Sequence, residues 1–316
     1  MRLSIVVPCY NEQEAVPLFV NEVEKIVNQL NIEAEYIFIN DGSTDQTLKV
    51  IRKVYRKLPH KIRYLSFSRN FGKEAALYAG LKAAKGELVT VMDADLQDPP
   101  ELLPQMIEIL ETGKFDCVGT RRTSRQGEPV IRSFFARLFY KVINRFGDTL
   151  MVDGARDFRL MTRQMVDSVL EVSEYNRFSK GIFSWVGFET TYLEFENRER
   201  IAGKSSWSFW SLFKYSIDGI VNFSDAPLNF ASFIGAFSCV GAGISLLFIV
   251  IRALVFGDPT SGWPSMVSIM LFMGGLQLLC LGIIGKYIGK IFLETKNRPI
   301  YIIKETDEDQ KRVVDE

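Results

Sequence analysis

Apolar residues in this chain come in runs of two lengths, and the two lengths predict different kinds of element. The short runs are Leu3 to Val7, Tyr36 to Ile39, Ile62 to Phe67, Leu88 to Met92 and Asp116 to Val118. Each has the length of a buried strand. Helical periodicity fills the gaps, over Glu14 to Gln29, Asp45 to Leu58, Lys73 to Lys85 and Pro100 to Leu110. Strand and helix in alternation predict an α/β fold with a doubly wound, mainly parallel sheet. Ligands of such sheets sit beyond the carboxyl ends of the strands. Three acidic motifs fall at those ends, so the sheet would gather them in one crevice.

The long runs lie near the C-terminus, Phe230 to Phe256 and Met266 to Ile284, with a turn from Gly257 to Pro264 between them. Each reaches the ~20 residues that cross a bilayer. Two spans, at about 230–256 and 264–290, are therefore expected. Lys286, Lys290, Lys296, Arg298 and Lys304 follow the second run, and the turn carries no lysine or arginine. The positive-inside rule then places the large N-terminal part, and both termini, in the cytoplasm. The run after Met1-Arg2 stops at Pro8, too soon for a signal peptide core. The expected organisation is a catalytic domain over 1–225, a membrane hairpin over 226–292 and a tail over 293–316, charged from Glu305 onward and frayed. Two segments of the first part read as interfacial. Residues 131–146 form a basic amphipathic helix, with Phe135, Phe139 and Ile143 on one face and Arg132, Arg137, Lys141 and Arg145 on others. Residues 207–223 are rich in Trp and Phe just ahead of the first span.

Composition narrows the chemistry. Lys+Arg and Asp+Glu are equal at 38 each, so no charge bias favours nucleic acid. The four cysteines, Cys9, Cys117, Cys239 and Cys280, have neither disulfide nor zinc spacing. The single histidine, His60, reads as a loop residue beside Pro59. A histidine base or a histidine metal site is thus without material, and carboxylates, hydroxyls and arginines must do the work.

Asp93-Ala-Asp95-Leu-Gln97-Asp98 follows the strand Leu88 to Met92. Carboxylates so close together repel one another unless a hard divalent ion with oxygen ligands sits among them, and such an ion also grips a diphosphate. Asp98-Pro99-Pro100-Glu101 reads as a helix start, so Asp98 is assigned to the cap and Asp93 and Asp95 to nucleotide and metal. Asn40-Asp41-Gly42-Ser43-Thr44-Asp45 ends another strand: Gly42 permits a tight turn, Ser43 or Asp45 can cap the next helix, and Asp41 can accept from a base or ribose. In Pro8-Cys9-Tyr10-Asn11-Glu12, Tyr10 can pack on a nucleobase and Glu12 can hold a hydroxyl. Ser68-Arg69-Asn70-Phe71-Gly72-Lys73-Glu74 offers backbone N–H groups and Lys73 to phosphates, without a Walker pattern.

Taken together, VVPCYNE, INDGSTD, SRNFGKE, DADLQDPP, DFRLMTR, GIFSWVGFE and ERIAGKSSW, followed by two spans, resemble the polyprenyl-phosphate glycosyltransferases of glycosyltransferase family 2. The likeness is nearer to the bactoprenol glucosyltransferases than to the dolichol-phosphate mannose synthases, and it runs from Leu3 to about Lys304. It implies a GT-A fold, Mg²⁺ or Mn²⁺ as cofactor, and inverting transfer from a UDP-sugar donor to a polyprenyl phosphate acceptor in the membrane. It also implies roles: Pro8, Tyr10, Glu12 and Asp41 along the nucleoside, Asp93 beside the ribose, Asp95 and Gln97 on the metal, Arg121 and Arg132 on the lipid and leaving phosphates, and Asp157 as the catalytic carboxylate. Glucose is the sugar implied, with N-acetylglucosamine as the alternative, and a homo-tetramer follows by analogy. The loop Arg122 to Pro129 departs from the dolichol branch. An acceptor phosphate is already ionised near neutral pH, so the lack of a histidine base costs nothing, and Asp157 serves better to orient than to deprotonate. A processive polysaccharide synthase would carry Q-x-x-R-W, which is absent. A non-catalytic membrane accessory would have no use for the Asp93, Asp95 and Gln97 set.

Overall fold

Strand β1 (Leu3–Cys9) is buried along nearly its whole length, as a mainly apolar run between two helical layers must be. The computed structural model describes residues 2–123, 130–147, 149–196, 209–256 and 262–309. β1 pairs in parallel with β2 (Ala34–Asn40) and with β4 (Leu88–Val91), and β2 pairs in parallel with β3 (Ile62–Phe67). Helices α1 (Ala15–Leu30), α2 (Thr47–Lys57) and α3 (Lys73–Ala83) make the crossovers. A 3-10 turn at Pro100–Leu102 leads into α4 (Leu103–Glu111) and then β5 (Cys117–Arg122).

Side chains alternate across the sheet with period two. Leu3, Ile5, Val7, Tyr36 and Phe38 face the layer of α1, α2 and α4. Val6, Ile37, Ile39, Val89 and Val91 face α3 on the other side. Gly80 lets α3 lie close to the sheet, since a Cβ there would stand 2.2 Å from Val6 Cγ1. Each fully buried aliphatic of this kind contributes roughly 1.5–3 kcal/mol relative to exposure.

Beyond β5 come α5 (Val130–Phe146), β6 (Ala155–Thr162), α6 (Arg163–Glu171), α7 (Ser179–Trp185), β7 (Thr190–Phe195), α8 (Phe209–Phe223), α9 (Ala226–Phe256), α10 (Trp263–Thr295) and β8 (Ile303–Thr306). Of these the apolar pattern announces α5, the aromatic α8 and the two long helices, but not β6, α6, α7, β7 or β8. The sheet order is β7-β5-β6-β4-β1-β2-β3-β8. β6 runs antiparallel between β4 and β5, and β7 lies parallel to β5. An antiparallel strand presents its beginning where its parallel neighbours present their ends. The start of β6 therefore joins the carboxyl rim.

Two expectations need correction. The tail is not frayed from Glu305: β8 pairs antiparallel with β3, Glu305 accepts from Arg52 Nε at 2.8 Å and Tyr64 Oη at 2.7 Å, and Asp307 is 4% exposed. Charge alone suggested solvent, but these charges meet partners on the sheet edge. Residues 310–316 lie outside the described residues. Nor is the apolar face of α5 wholly turned toward headgroups. Ile143 is fully buried, and the Phe139 ring lies 6.2 Å from that of Phe178, in a core shared with Phe223 of α8. Phe139 and Ile143 of the stripe thus pack in the core, whereas Phe146 at its end is exposed. The side chains of residues 131–136 and 138, and residues 197–208 with Trp207 and most of the ERIAGKSSW motif, lie outside the described residues.

α9 and α10 are long and apolar enough to cross a membrane, over Ala226–Ile249 and Ile269–Thr295, with neither stretch buried against protein. Such exposure of Phe237, Ile244, Leu271, Phe272 and Leu278 points to membrane association. The expected turn is outside the described residues apart from its last ones. The last turns of α10 pack on the preceding part of the chain. Tyr287 Oη donates to Ser224 O at 2.8 Å, Lys290 Nζ is 3.2 Å from Asp218, and Glu294 accepts the Tyr175 and Asn176 N–H groups at 3.0 and 3.1 Å.

Candidate active site

Four strand ends meet at one rim, and their turns are laced together by the motif residues. Asn11 Oδ1 accepts the Thr44 N–H at 2.8 Å, and Asn11 N–H donates to Ser43 Oγ at 3.0 Å. Glu12 N–H donates to Thr47 Oγ1 at 2.8 Å. Asp45 Oδ1 accepts the Thr47 N–H at 2.9 Å, whereas the cap position of α2 is Gln46 and neither Ser43 nor Asp45 occupies it. Gly42 sits at φ +60, where a Cβ would stand 2.3 Å from the Arg69 carbonyl carbon, so only glycine lets the two turns touch. Asn11 and Leu96 also lie in the left-handed region, at φ 59 and 55. For a leucine this costs about 1–2 kcal/mol, and strain of this kind gathers at functional sites.

Asp41 is 4% exposed. The Phe71 N–H donates to its Oδ1 at 2.6 Å and the Gly72 N–H to its Oδ2 at 2.9 Å. Burial pushes its carboxyl up, against the pull of these two amides. Asp41 thus fixes the turn that precedes Lys73, and both its oxygens already hold backbone. The expectation that it offers them to a base or ribose has to share them with this task.

Lys73 opens α3 and reaches across the rim. Its Nζ stands 2.8 Å from Asp93 Oδ1, at the end of β4, and 2.6 Å from Asp157 Oδ2, at the start of β6. The register explains the meeting. Val91 pairs with Arg159, so two residues further the rim places Asp93 opposite Asp157. The lysine is held above its usual range: burial lowers it, but Asp157 and Asp93 outweigh that. Asp157 is held below the usual carboxylate range: burial raises it, and Lys73, then Lys180 and Arg159, outweigh that. A carboxylate so held is a poor proton acceptor near neutral pH.

Asp98 departs from its expected role. No side chain caps the 3-10 turn or α4. Asp98 is instead 2% exposed and accepts from Arg156 Nε at 2.7 Å. Burial pulls the guanidinium down, but Asp98 and then Asp93 hold it charged. The N-cap reading failed because Arg156 comes from a strand that the apolar pattern did not reveal.

Asp95 is 4% exposed, and its Oδ1 accepts the Gln97 N–H at 3.1 Å. Gln97 is half-buried. Among the described residues no group of three or more His, Cys, Asp or Glu side chains is placed to hold a metal ion. A magnesium-type ion takes one or two carboxylates and completes its octahedron with substrate phosphates and water. The buried carboxylate on a strained turn, with an amide side chain two residues on, fits such a substrate-shared ion and not a dedicated protein cage.

The other expected residues are placed as follows. Pro8 is half-buried in β1, Tyr10 is 37% exposed, and Glu12 is half-buried beside the turn after β2. Arg121 lies on the same rim, in register with Ala155, with its side chain 46% exposed and 3.9 Å from Glu194. Arg132 lies on α5, and its side chain is outside the described residues, as are residues 124–129 of the loop after β5. The residues missed are Arg156, Arg159 and Lys180. Lys180 Nζ donates to Ala155 O at 3.3 Å, and the Arg159 guanidinium lies 3.9 Å above the Phe183 ring. Arg156 and Arg159 flank the quoted Asp157, and basic residues so close in a strand at a rim were the signal available.

The model of glycosyl transferase family 2 matches residues 4–170. The CsbB glycosyltransferase of Bacillus subtilis (strain 168) is 44% identical over 305 residues, covering 96% of this chain and 92% of that protein. The bactoprenol glucosyl transferase of Shigella phage SfII is 42% identical over 309 residues, covering 97% and 98%. The prophage bactoprenol glucosyl transferase homolog of Escherichia coli (strain K12) is 40% identical over 304 residues, covering 96% and 99%.

Proposed function

The chain belongs to glycosyl transferase family 2, and from that premise we propose that it moves glucose from UDP-glucose onto the phosphate of a polyprenyl lipid at a membrane. The observation that carries the reading is the bridge Asp93–Lys73–Asp157 at the carboxyl rim of a GT-A-like sheet, in a chain that ends in two exposed apolar helices.

The acceptor is the phosphate itself. One of its oxygens forms the new bond to the anomeric carbon, and the bond from that carbon to the donor diphosphate breaks. The electron pair leaves with UDP, and the configuration inverts. No hydroxyl proton has to be removed. This agrees with a site whose central carboxylate, Asp157, is held ionised and turned onto Lys73. What the reaction needs is alignment and control of charge. Asp93 and Asp157, fixed by one shared lysine, would orient donor and acceptor. Arg121 and Arg132, with Lys180 beside Asp157, would hold an anionic nucleophile near an anionic leaving group. Tyr10 is exposed enough to cover a uracil, with Pro8, Glu12 and Asp41 around the nucleoside. Asp95 and Gln97 would hold Mg²⁺ or Mn²⁺, whose contribution when bound is to neutralise the departing diphosphate.

A polyprenyl phosphate stays in the bilayer, so the site must come to it. Both ends of the α9–α10 hairpin adjoin the catalytic domain, through Ser224 and Tyr287 and through Glu294. That supports a catalytic domain and both termini on one side of the membrane, the cytoplasmic side by the lysine and arginine bias after α10. Incubating the full chain in vesicles with undecaprenyl phosphate and a panel of UDP-sugars, and weighing the lipid product, tests the proposal. A hexose added from UDP-glucose is expected. Selective addition of N-acetylhexosamine would change the sugar, and no glycolipid from any donor would overturn the reading.

A further inference from the structure

The chain after α10 returns to the active site by a route that no catalytic motif uses. β8 pairs with β3 through Leu65↔Thr306, Ser66↔Glu305 and Phe67↔Ile303. The ladder is extended by Ser68 N–H, which donates to Ile302 O at 3.0 Å. Ser68 is the residue at which the turn toward Lys73 begins. Just upstream, the Tyr301 ring stacks on Phe67, centroids 5.0 Å apart and planes 16° apart. Phe67 in turn meets Phe71 edge-on at 5.8 Å, and Tyr301 meets Tyr78 of α3 at 6.4 Å. Both ends of the 68–72 turn therefore rest on one aromatic stack. Phe71 and Gly72 are the residues whose N–H groups Asp41 takes, and the next residue is Lys73. At its far end the strand is held by Arg52 and Tyr64 on Glu305, and by the Tyr64 N–H on Asp307 at 3.3 Å.

We propose that residues 300–307 are a positioning element for the transfer site, and that Tyr301 is the positioning residue that sets the 68–72 turn so that Lys73 stands between Asp93 and Asp157. This rests on the reading of that rim as the transfer site. The segment follows directly on α10, whose last turn is anchored by Glu294 on the Tyr175 and Asn176 amides. A few residues of chain thus connect the membrane hairpin to the ion-paired carboxylates. Tyr301 itself does not touch substrate. It acts through Phe67, Phe71 and the backbone between them.

Tyr301→Ala and Tyr301→Phe, made in the full chain in vesicles, test this. Misplacement by an ångström costs a reaction up to about a hundredfold, so Tyr301→Ala should lower kcat by about ten- to a hundredfold. The KM for the acceptor lipid should hold. Tyr301→Phe, which keeps both ring contacts, should restore kcat. Amide hydrogen exchange gives a reading independent of transfer. In Tyr301→Ala the Phe71 and Gly72 amides should exchange faster, while those of β1 and β2 keep their protection. Wild-type kcat together with unchanged exchange at Phe71 and Gly72 would overturn the proposal. So would faster exchange spread evenly over β1 and β2, which is plain loss of stability. Should Tyr301→Ala fail to fold, Tyr301→Leu fills the same space without the stack and decides by the same readings. If no lipid is glycosylated by the wild-type chain, the reaction assigned above fails, and the exchange data still decide whether Tyr301 sets the turn.

Discussion

Strands β1 to β4 and strands β5 to β7 serve the same rim but reach it in opposite ways. The first set is parallel, mostly apolar apart from the Glu35–Arg63 pair, and delivers its functional groups in the turns that follow each strand: Tyr10 and Glu12, Asp41, Lys73, Asp93 and Asp95. The second set is mixed in direction and carries charge within a strand, with Arg156, Asp157 and Arg159 all in β6. What joins them is a pair of half-buried cross-links, Lys73 to Asp157 and Arg156 to Asp98. The lesson is that the apolar half supplies a rigid ledge, and the charged half is held to it electrostatically. A site meant for two anionic substrates gains from being assembled in this way, because its cations are fixed before either substrate arrives.

The largest effect should come from the ledge itself. Asp95→Ala, with divalent ion saturating, should lower transfer by about a thousandfold, the scale of losing a preorganised electrostatic partner. Turnover near that of the wild type would break the assignment of Asp95 to the metal and leave the ledge without its central role. Next comes the seam. Arg156→Ala leaves Asp98 buried without its guanidinium and should destabilise the catalytic domain by about 3–5 kcal/mol, read as a shift in chemical denaturation midpoint. A shift near zero would mean that the two halves are not held together at this point.

Phe139→Ala should cost about 2–3 kcal/mol, somewhat less than a fully buried phenylalanine, because Phe139 is only half-buried against Phe178. Transfer to long-chain lipid and hydrolysis of the donor should fall together. A loss confined to long-chain lipid would restore the headgroup-facing reading of α5. The smallest effect is a pH dependence. Asp157 is held below the value it has in the unfolded chain, about 3.9. Its contribution to stability is therefore complete above that value and fades as pH falls through the folded one. The difference in thermal midpoint between wild type and Asp157→Asn should be constant from neutrality to about pH 5 and shrink below about pH 4. A gap that widens on acidification would contradict the direction of the shift.

Legibility in the sequence follows the same division. β1 to β4 announce themselves because each is a mainly apolar run closed by a turn motif, and Asp93, Asp95 and Asp41 fall where the sheet must end. Asp157 was reached through resemblance alone, since Ala155–Thr162 mixes charge with apolar residues and has no clean period. Its pairing with Lys73 depends on an antiparallel register that no local pattern encodes. Asp98 was misassigned for the same reason: its partner Arg156 is 58 residues away. β8 hid behind its charges, and only the partners Arg52 and Tyr64, brought up by β3 and α2, make Ile303–Thr306 a strand. In α5 the 3.6-residue stripe was read correctly as a face, but periodicity cannot say whether a face meets lipid or protein.

In the proposed reaction a phosphate oxygen of the lipid attacks the sugar directly, at a rim whose central carboxylate, Asp157, is held on Lys73. Labelled UDP-glucose supplied to the full chain in vesicles, with either undecaprenyl phosphate or undecaprenol, tests this most directly. Label is expected in the lipid fraction with the phosphate only, with one UDP released for each sugar transferred. Equal labelling of the alcohol, or UDP release with no labelled lipid, would contradict it.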